Sequence, residues 1–152
     1  MLMLLFQLDS SRYAIPVADV VEVVPRVQLE PLACAPDYVA GLFNYRGRHV
    51  PVIDLCRLAH GRDCADTFTT RIVMVDFPLQ RGGRRTLGLL AEQVTETAEL
   101  DADGFSATGV NIASTPWLDQ AAYTDRGLVR QIRVADLLPD SVQVQLFADG
   151  AA

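Results

Sequence analysis

Residues 40 to 55 read Ala-Gly-Leu-Phe-Asn-Tyr-Arg-Gly-Arg-His-Val-Pro-Val-Ile-Asp-Leu. An apolar strand runs into a turn that carries Asn44, Arg46 and Gly47. A second strand covers Arg48 to Ile53, and a helix starts at Asp54. Gly47 supplies the positive φ that a tight hairpin turn needs. Arg46 therefore sits at or beside a rigid turn, where a guanidinium is presented at a fixed place. Its planar fork suits a carboxylate and keeps its charge at any pH. Taken alone, the stretch reads better as a solvated hairpin tip.

Working outward, strands dominate. Met1 to Leu8 is apolar on both faces and reads as a buried strand. Asp9-Ser10-Ser11 is a turn, and Arg12 to Pro16 pairs back. Val17, Val20, Val21 and Val24 fall at helical spacing, but branching at Cβ favours strands, so one or two helical turns give way to extended chain from Val23. Pro25, Pro31 and Pro36 keep residues 25–38 irregular. Pro51 marks the second strand of the hairpin as an edge or a bulge. Asp54 caps a short helix over Leu55 to Ala59, and Gly61 stops it. Residues 60–70 form a polar linker.

The second half repeats the pattern. Arg71 to Phe77 is a strand, Arg81-Gly82-Gly83-Arg84-Arg85 a turn, and Thr86 to Ala91 its partner, continued over Gln93 to Leu100 as a strand or bulged extension. Asp101 to Thr108 is a polar loop, and Val110 to Leu118 a strand interrupted at Pro116. Gln120 to Thr124 and Leu128 to Ile132 flank a turn at Asp125-Arg126-Gly127. Val134 to Leu138 is a short helix stopped by Pro139, and Val142 to Phe147 a last strand. That makes roughly ten short strands with helices only as connectors, an all-β barrel or sandwich. Val-Ile-Asp-Leu at 52–55 and Val-Ala-Asp-Leu at 134–137 hint at two similar barrels.

Composition narrows the function. The chain has 152 residues, 50% of them apolar, and a formal net charge of −6. It is globular, and the acidic balance argues against nucleic acid and acidic lipid as partners. No apolar run is long enough to insert in a membrane. Met1 to Phe6 is too short for a secretory signal and lacks a basic leader, so the expected compartment is the cytoplasm. Cys34, Cys56 and Cys64 fit reduced thiols.

No constellation assembles a catalytic site. Cys56 and His60 would share a helix face, with Cys64 four residues further on, which keeps a small metal or thiol protein as the alternative reading. Gly61 breaks that spacing, no fourth ligand follows, and no metal or cofactor is expected. The arginines at 81–85 lack interleaved aromatics and read as a solvated turn. Glu92, Glu96, Glu99, Asp101 and Asp103 read as the exposed face of a strand and its loop. What remains is a small acidic β protein with a rigid arginine turn, which suits a docking module.

The order of motifs resembles one family. Tyr13-Ala14-Ile15-Pro16-Val17, Val20-Val21-Glu22-Val23, Val39-Ala40-Gly41-Leu42-Phe43-Asn44-Tyr45-Arg46-Gly47, Val50-Pro51-Val52-Ile53-Asp54-Leu55 and Leu87-Gly88-Leu89-Leu90-Ala91-Glu92-Gln93-Val94 are similar to the CheW-type chemosensory coupling proteins. The resemblance implies two packed five-stranded SH3-like barrels in one domain over residues 1–148. The subdomains would span roughly 1–60 and 71–138, with terminal strands free to exchange, before a loose tail at 149–152. It implies a non-enzymatic adaptor between the cytoplasmic tip of a methyl-accepting receptor and the regulatory domain of a CheA-type histidine kinase. Such adaptors work in the cytoplasm, at receptor arrays on the inner face of the membrane. The docking positions of the family fall on Glu22 and Arg46, with Val20, Gly41, Asn44 and Gly47 at neighbouring motif positions. Tyr45 replaces a usual leucine, Glu92 an aspartate, and Arg133 the aspartate or asparagine that would cap the last helix.

Overall fold

A computed structural model describes residues 1–107, 115–118 and 120–147. The strands are β1 (Leu2–Leu8), β2 (Ser11–Pro16), β3 (Val20–Pro25), β4 (Val39–Tyr45), β5 (Arg48–Asp54), β6 (Arg71–Pro78), β7 (Arg84–Glu99), β8 (Ser106–Ala107), β9 (Gln120–Thr124) and β10 (Gly127–Gln131). The helices are α1 (Leu55–His60) and α2 (Asp140–Leu146), with single 3₁₀ turns at Val17–Asp19, Ala102–Gly104 and Val134–Asp136.

β7 organises the molecule. Its first half, Arg84 to Ala91, pairs with β6 on one side, and Gly88 to Leu90 lie parallel to Val52 to Asp54 of β5 on the other. At Gln93, where φ is +52°, the strand bulges, and from Glu92 to Glu99 it pairs with β1 instead. A bulge is a normal device for re-aiming a strand. One strand group therefore contains β3, β6, the first half of β7, β5 and β4; the other contains the second half of β7, β1, β2, β10, β9 and β8. Strands cross between the chain halves: β2 joins β10 and β1 joins β7, while β3 joins β6.

β1 is apolar on both faces because it separates two cores. Leu4, Phe6 and Leu8 belong to the main core with Tyr13, Ile15, Ile53, Leu55, Ile72 and Trp117. Met3 and Leu5, pointing the other way as strand alternation requires, join Ala14, Phe105, Ala122 and Val129 in a smaller one.

Several local expectations are corrected. The last segment is the helix α2, not a strand. Its buried residues Val142 and Gln143, with Phe147 at its C-cap, follow helical spacing, while Val144 faces solvent at 62% exposure. The Val-Gln alternation misled because Gln143 is buried with partners: its Nε2 donates to Leu138 O at 2.9 Å, and its Oε1 accepts from Gln80 N at 2.8 Å. Extended chain begins at Val20, not Val23, after one 3₁₀ turn. β5 is an interior strand between β4 and β7. Pro51 is tolerated because parallel pairing begins only at Val52, so the missing N–H falls where no neighbour needs it. The strand expected over 110–118 falls largely outside the described residues, as does the tail at 149–152; Trp117 is buried in the main core. Before the 3₁₀ turn at 134–136, Arg133 provides no side-chain cap. It pairs instead with Asp136, Nε to Oδ2 at 2.8 Å.

Candidate partner-binding site

The hairpin of β4 and β5 closes with a two-residue loop between the paired residues Tyr45 and Arg48. Both loop residues have positive φ, +53° at Arg46 and +85° at Gly47. That is the turn whose twist matches the flanking strands. The Asn44 side chain locks it, Oδ1 accepting from Gly47 N at 2.9 Å. Sequence reading assigns the positive φ to Gly47; Arg46 shares it, which rotates the guanidinium back toward β3.

There it meets Glu22. Arg46 Nη2 donates to Glu22 Oε1 at 2.7 Å, and the Tyr45 hydroxyl donates to the same oxygen. The guanidinium also lies over the Tyr45 ring, 5.1 Å from its centroid, within cation–π reach. Phe43 meets Tyr45 edge to face with centroids 6.1 Å apart. The hydrogen bond to the Glu22 carboxylate, helped by desolvation, raises the Tyr45 phenol above its ordinary pKa, with Arg46 pulling the other way. The side chains of Arg46 and Glu22 are 73% and 37% exposed. A charged pair this open remains available to a partner's polar groups.

The structure thus brings Glu22, Asn44, Arg46 and Gly47 into one unit. Val20 and Gly41 belong to its frame. Val20 packs against the main core, and a register shift between Val20 and Glu22 leaves Val21 exposed. Gly41, at φ +144°, lets the Glu30 segment lie on β4; Glu30 and Leu42 exchange backbone bonds at 2.8 and 2.9 Å. A Cβ on Gly41 would stand 2.5 Å from Glu30 O. Tyr45 is the member that sequence reading misses as a contact. Its signal was an aromatic with a hydroxyl immediately before the Arg-Gly turn.

The other constellations resolve differently. His60 is not a partner of Cys56: its Nε2 lies 3.4 Å from the Tyr13 hydroxyl. Cys56 and Cys64 do come together, beside Asp54, and all three are buried. The metal or thiol reading built on Cys56, His60 and Cys64 is not favoured. Glu92 is corrected from exposed to buried; it accepts from Ala65 N at 2.6 Å and Asp9 N at 3.2 Å, with Arg62 Nη2 at 3.4 Å. In the arginine turn, Arg84 pairs with Asp76 at 3.2 Å and Arg81 donates to the Phe147 carbonyl.

The family model of the CheW-like domain matches residues 2–142. The chain belongs to the CheW-like domain family. Among curated relatives, it is 40% identical over 58 residues to a chemotaxis protein CheW of Treponema pallidum (strain Nichols), covering 38% of this chain and 34% of that one. It is 28% identical over 100 residues to the chemotaxis protein CheW of Klebsiella aerogenes, covering 66% of this chain and 57% of that one. The matched segments span about a third and somewhat over half of those relatives' lengths. The crystal structure of the scaffolding protein TtCheW from Thermoanaerobacter tengcongensis superposes with a TM-score of 0.79 at 24% identity, covering 93% of this chain and 89% of that one. The fold is that of the CheW-like family, two SH3-like barrels built largely from strands. Among the described residues no helix is long and apolar enough to cross a membrane.

Proposed function

We propose that this protein is a non-enzymatic adaptor that couples methyl-accepting chemoreceptors to a CheA-type histidine kinase. Its partners in this reading are the cytoplasmic tip of the receptor and the regulatory domain of the kinase. Its place is the cytoplasmic face of the membrane, in receptor arrays. Family membership supports the class, and the observation that carries the site is the Glu22–Arg46 pair. A donor fork and a carboxylate, held at a rigid turn and open to solvent, offer complementary charge to a docking partner. Glu22, Arg46 and Tyr45 are the contact groups; Asn44 and Gly47 fix the turn, and Val20 and Gly41 hold the two strands that present it. The strand groups on either side of the Gln93 bulge serve as the two barrel subdomains.

Coupling requires that the adaptor bind kinase states unequally, since a ligand shifts an equilibrium only by its differential affinity. The experiment is phosphate incorporation by a cognate kinase with receptor present, with and without this protein. A higher rate with the adaptor supports the reading. An unchanged rate in a complex shown to have assembled counts against it.

A further inference from the structure

We propose that Cys56 and Cys64 form an oxidative modification site, closing into an intramolecular disulfide when a hydroperoxide reaches Cys64. The proposal goes beyond the adaptor reading and does not depend on it.

The fold builds the pair from distant-looking positions. Cys56 is the second residue of α1, and Gly61 ends that helix at φ +74°. The chain then turns back so that Cys64 N donates to Asp54 Oδ2 at 3.1 Å, and the two sulfurs lie 2.8 Å apart. A disulfide bond measures about 2.05 Å, so closure asks for under about 1 Å of sulfur movement. An ion fits this geometry less well. With zinc–sulfur bonds of about 2.3 Å, two tetrahedral thiolates stand roughly 3.7 Å apart. Both Asp54 oxygens are also engaged, Oδ1 with Arg57 N at 3.1 Å and Oδ2 with Cys64 N.

The two sulfurs differ in access. Cys56 is fully buried, whereas Cys64 is 7% exposed and lines a cavity of about 510 Å³ together with Arg26, Leu29 and Asp63. Cys64 is therefore attacked first. Its sulfur bonds to one peroxide oxygen, the O–O bond breaks, and the departing oxygen leaves as water or alcohol with the thiol proton. The Cys56 sulfur then attacks the resulting sulfenic acid; the S–S bond forms, the S–O bond breaks, and water leaves with the second proton. The two thiols are oxidised by two electrons and the hydroperoxide is reduced by two. The hydrogen bond to Cys56 and burial, with the Asp54 carboxylate adding to them, push the Cys64 thiol up, so Cys64 rests as the thiol and a strong oxidant is needed.

Closure would tie the segment after α1 to its first turn. That segment delivers Arg62 and Ala65 to Glu92 and Asp66 to Arg26, beside the end of β3.

The test uses the full chain carrying Cys34→Ser, because Cys34 is exposed and would cross-link chains. The protein is treated with hydrogen peroxide, then denatured and alkylated with iodoacetamide. Reduced protein should take up two alkyl groups and treated protein none, with a peptide pair joined through Cys56 and Cys64 in the digest. The melting temperature should rise by about 5 °C and fall back with dithiothreitol. Two thiols still free after treatment, sulfinic acid at Cys64 without the cross-link, or one tightly held zinc per chain by elemental analysis would each overturn the proposal.

Discussion

Glu22 and Arg46 join two strands that no backbone ladder joins. β3 pairs with β6 and β4 with β5, and among the described residues the link between β3 and the β4 turn is the side-chain pair at 2.7 Å, with Tyr45 on the same carboxylate oxygen. An exposed pair of this kind contributes about 0–1 kcal/mol to the fold. The same charges, desolvated against a partner and then broken, can cost roughly 2–5 kcal/mol of binding.

Arg46→Glu should therefore melt within about 1 kcal/mol of the parent, the deficit arising from repulsion with Glu22. It should bind receptor or kinase at least about tenfold more weakly, equivalent to 1.4 kcal/mol. The double change Glu22→Arg with Arg46→Glu restores the pair with its charges exchanged. It should recover the melting temperature but not the affinity, because a partner reads which charge sits on which strand. Paired melting curves and titration calorimetry decide it. Full recovery of binding in the exchanged variant would mean that the pair only closes the barrel.

Gly41 tests the opposite role. Its Cβ would stand 2.5 Å from a backbone oxygen that cannot swing away, at a φ of +144°. Gly41→Ala should destabilise by about 2 kcal/mol or more, a fall of roughly 4–8 °C in melting temperature. Gly47→Ala meets nothing within 4 Å and bears only the strain of its φ of +85°. It should lose about 1 kcal/mol. If Gly41→Ala melts like the parent yet fails to bind, Gly41 is a contact surface and not part of the frame.

What was legible in the chain follows the range of the physics. The 39–54 hairpin, the Asp54 cap and the Gly61 stop are local, and local turn and capping chemistry announces them; Asp54 does accept from Arg57 N at 3.1 Å. The continuation past Ala91 was legible as a strand or a bulged extension, and the structure puts the bulge at Gln93. α2 was not, since Gln143 is a buried polar group whose partners Leu138 and Gln80 lie outside the segment. Family resemblance singled out Glu22 and Arg46 as docking positions but not their contact, since spacing across 24 residues says nothing about it. Tyr45 and the Cys56–Cys64 pair depend on how β3 and the 61–70 segment fold back, which no local pattern carries. The same holds for Glu92, which looked like one of several surface acids.

Glu92 makes a pH prediction. The ordinary pKa of its carboxyl is 4.5. Burial in the fold pushes this value up, but the N–H groups of Ala65 and Asp9 and the Arg62 guanidinium outweigh burial and hold it below the ordinary range. The folded state thus binds the proton more weakly than the unfolded chain. The stability this contributes is fully present above the unfolded value and is lost as pH falls through the lower folded one. Glu92→Gln keeps the size, removes the charge and turns one acceptor into a donor facing Ala65 N or Arg62. At pH 7 it should be less stable by about 2 kcal/mol. The gap between parent and variant should narrow below about pH 4, as the parent takes up the same proton. Urea melts of both proteins at about pH 7 and about pH 3.5 measure it. A gap that persists unchanged in acid would assign the loss to packing, and no gap at neutral pH would mean that the clamp between Asp9, Arg62 and β7 adds nothing to the fold.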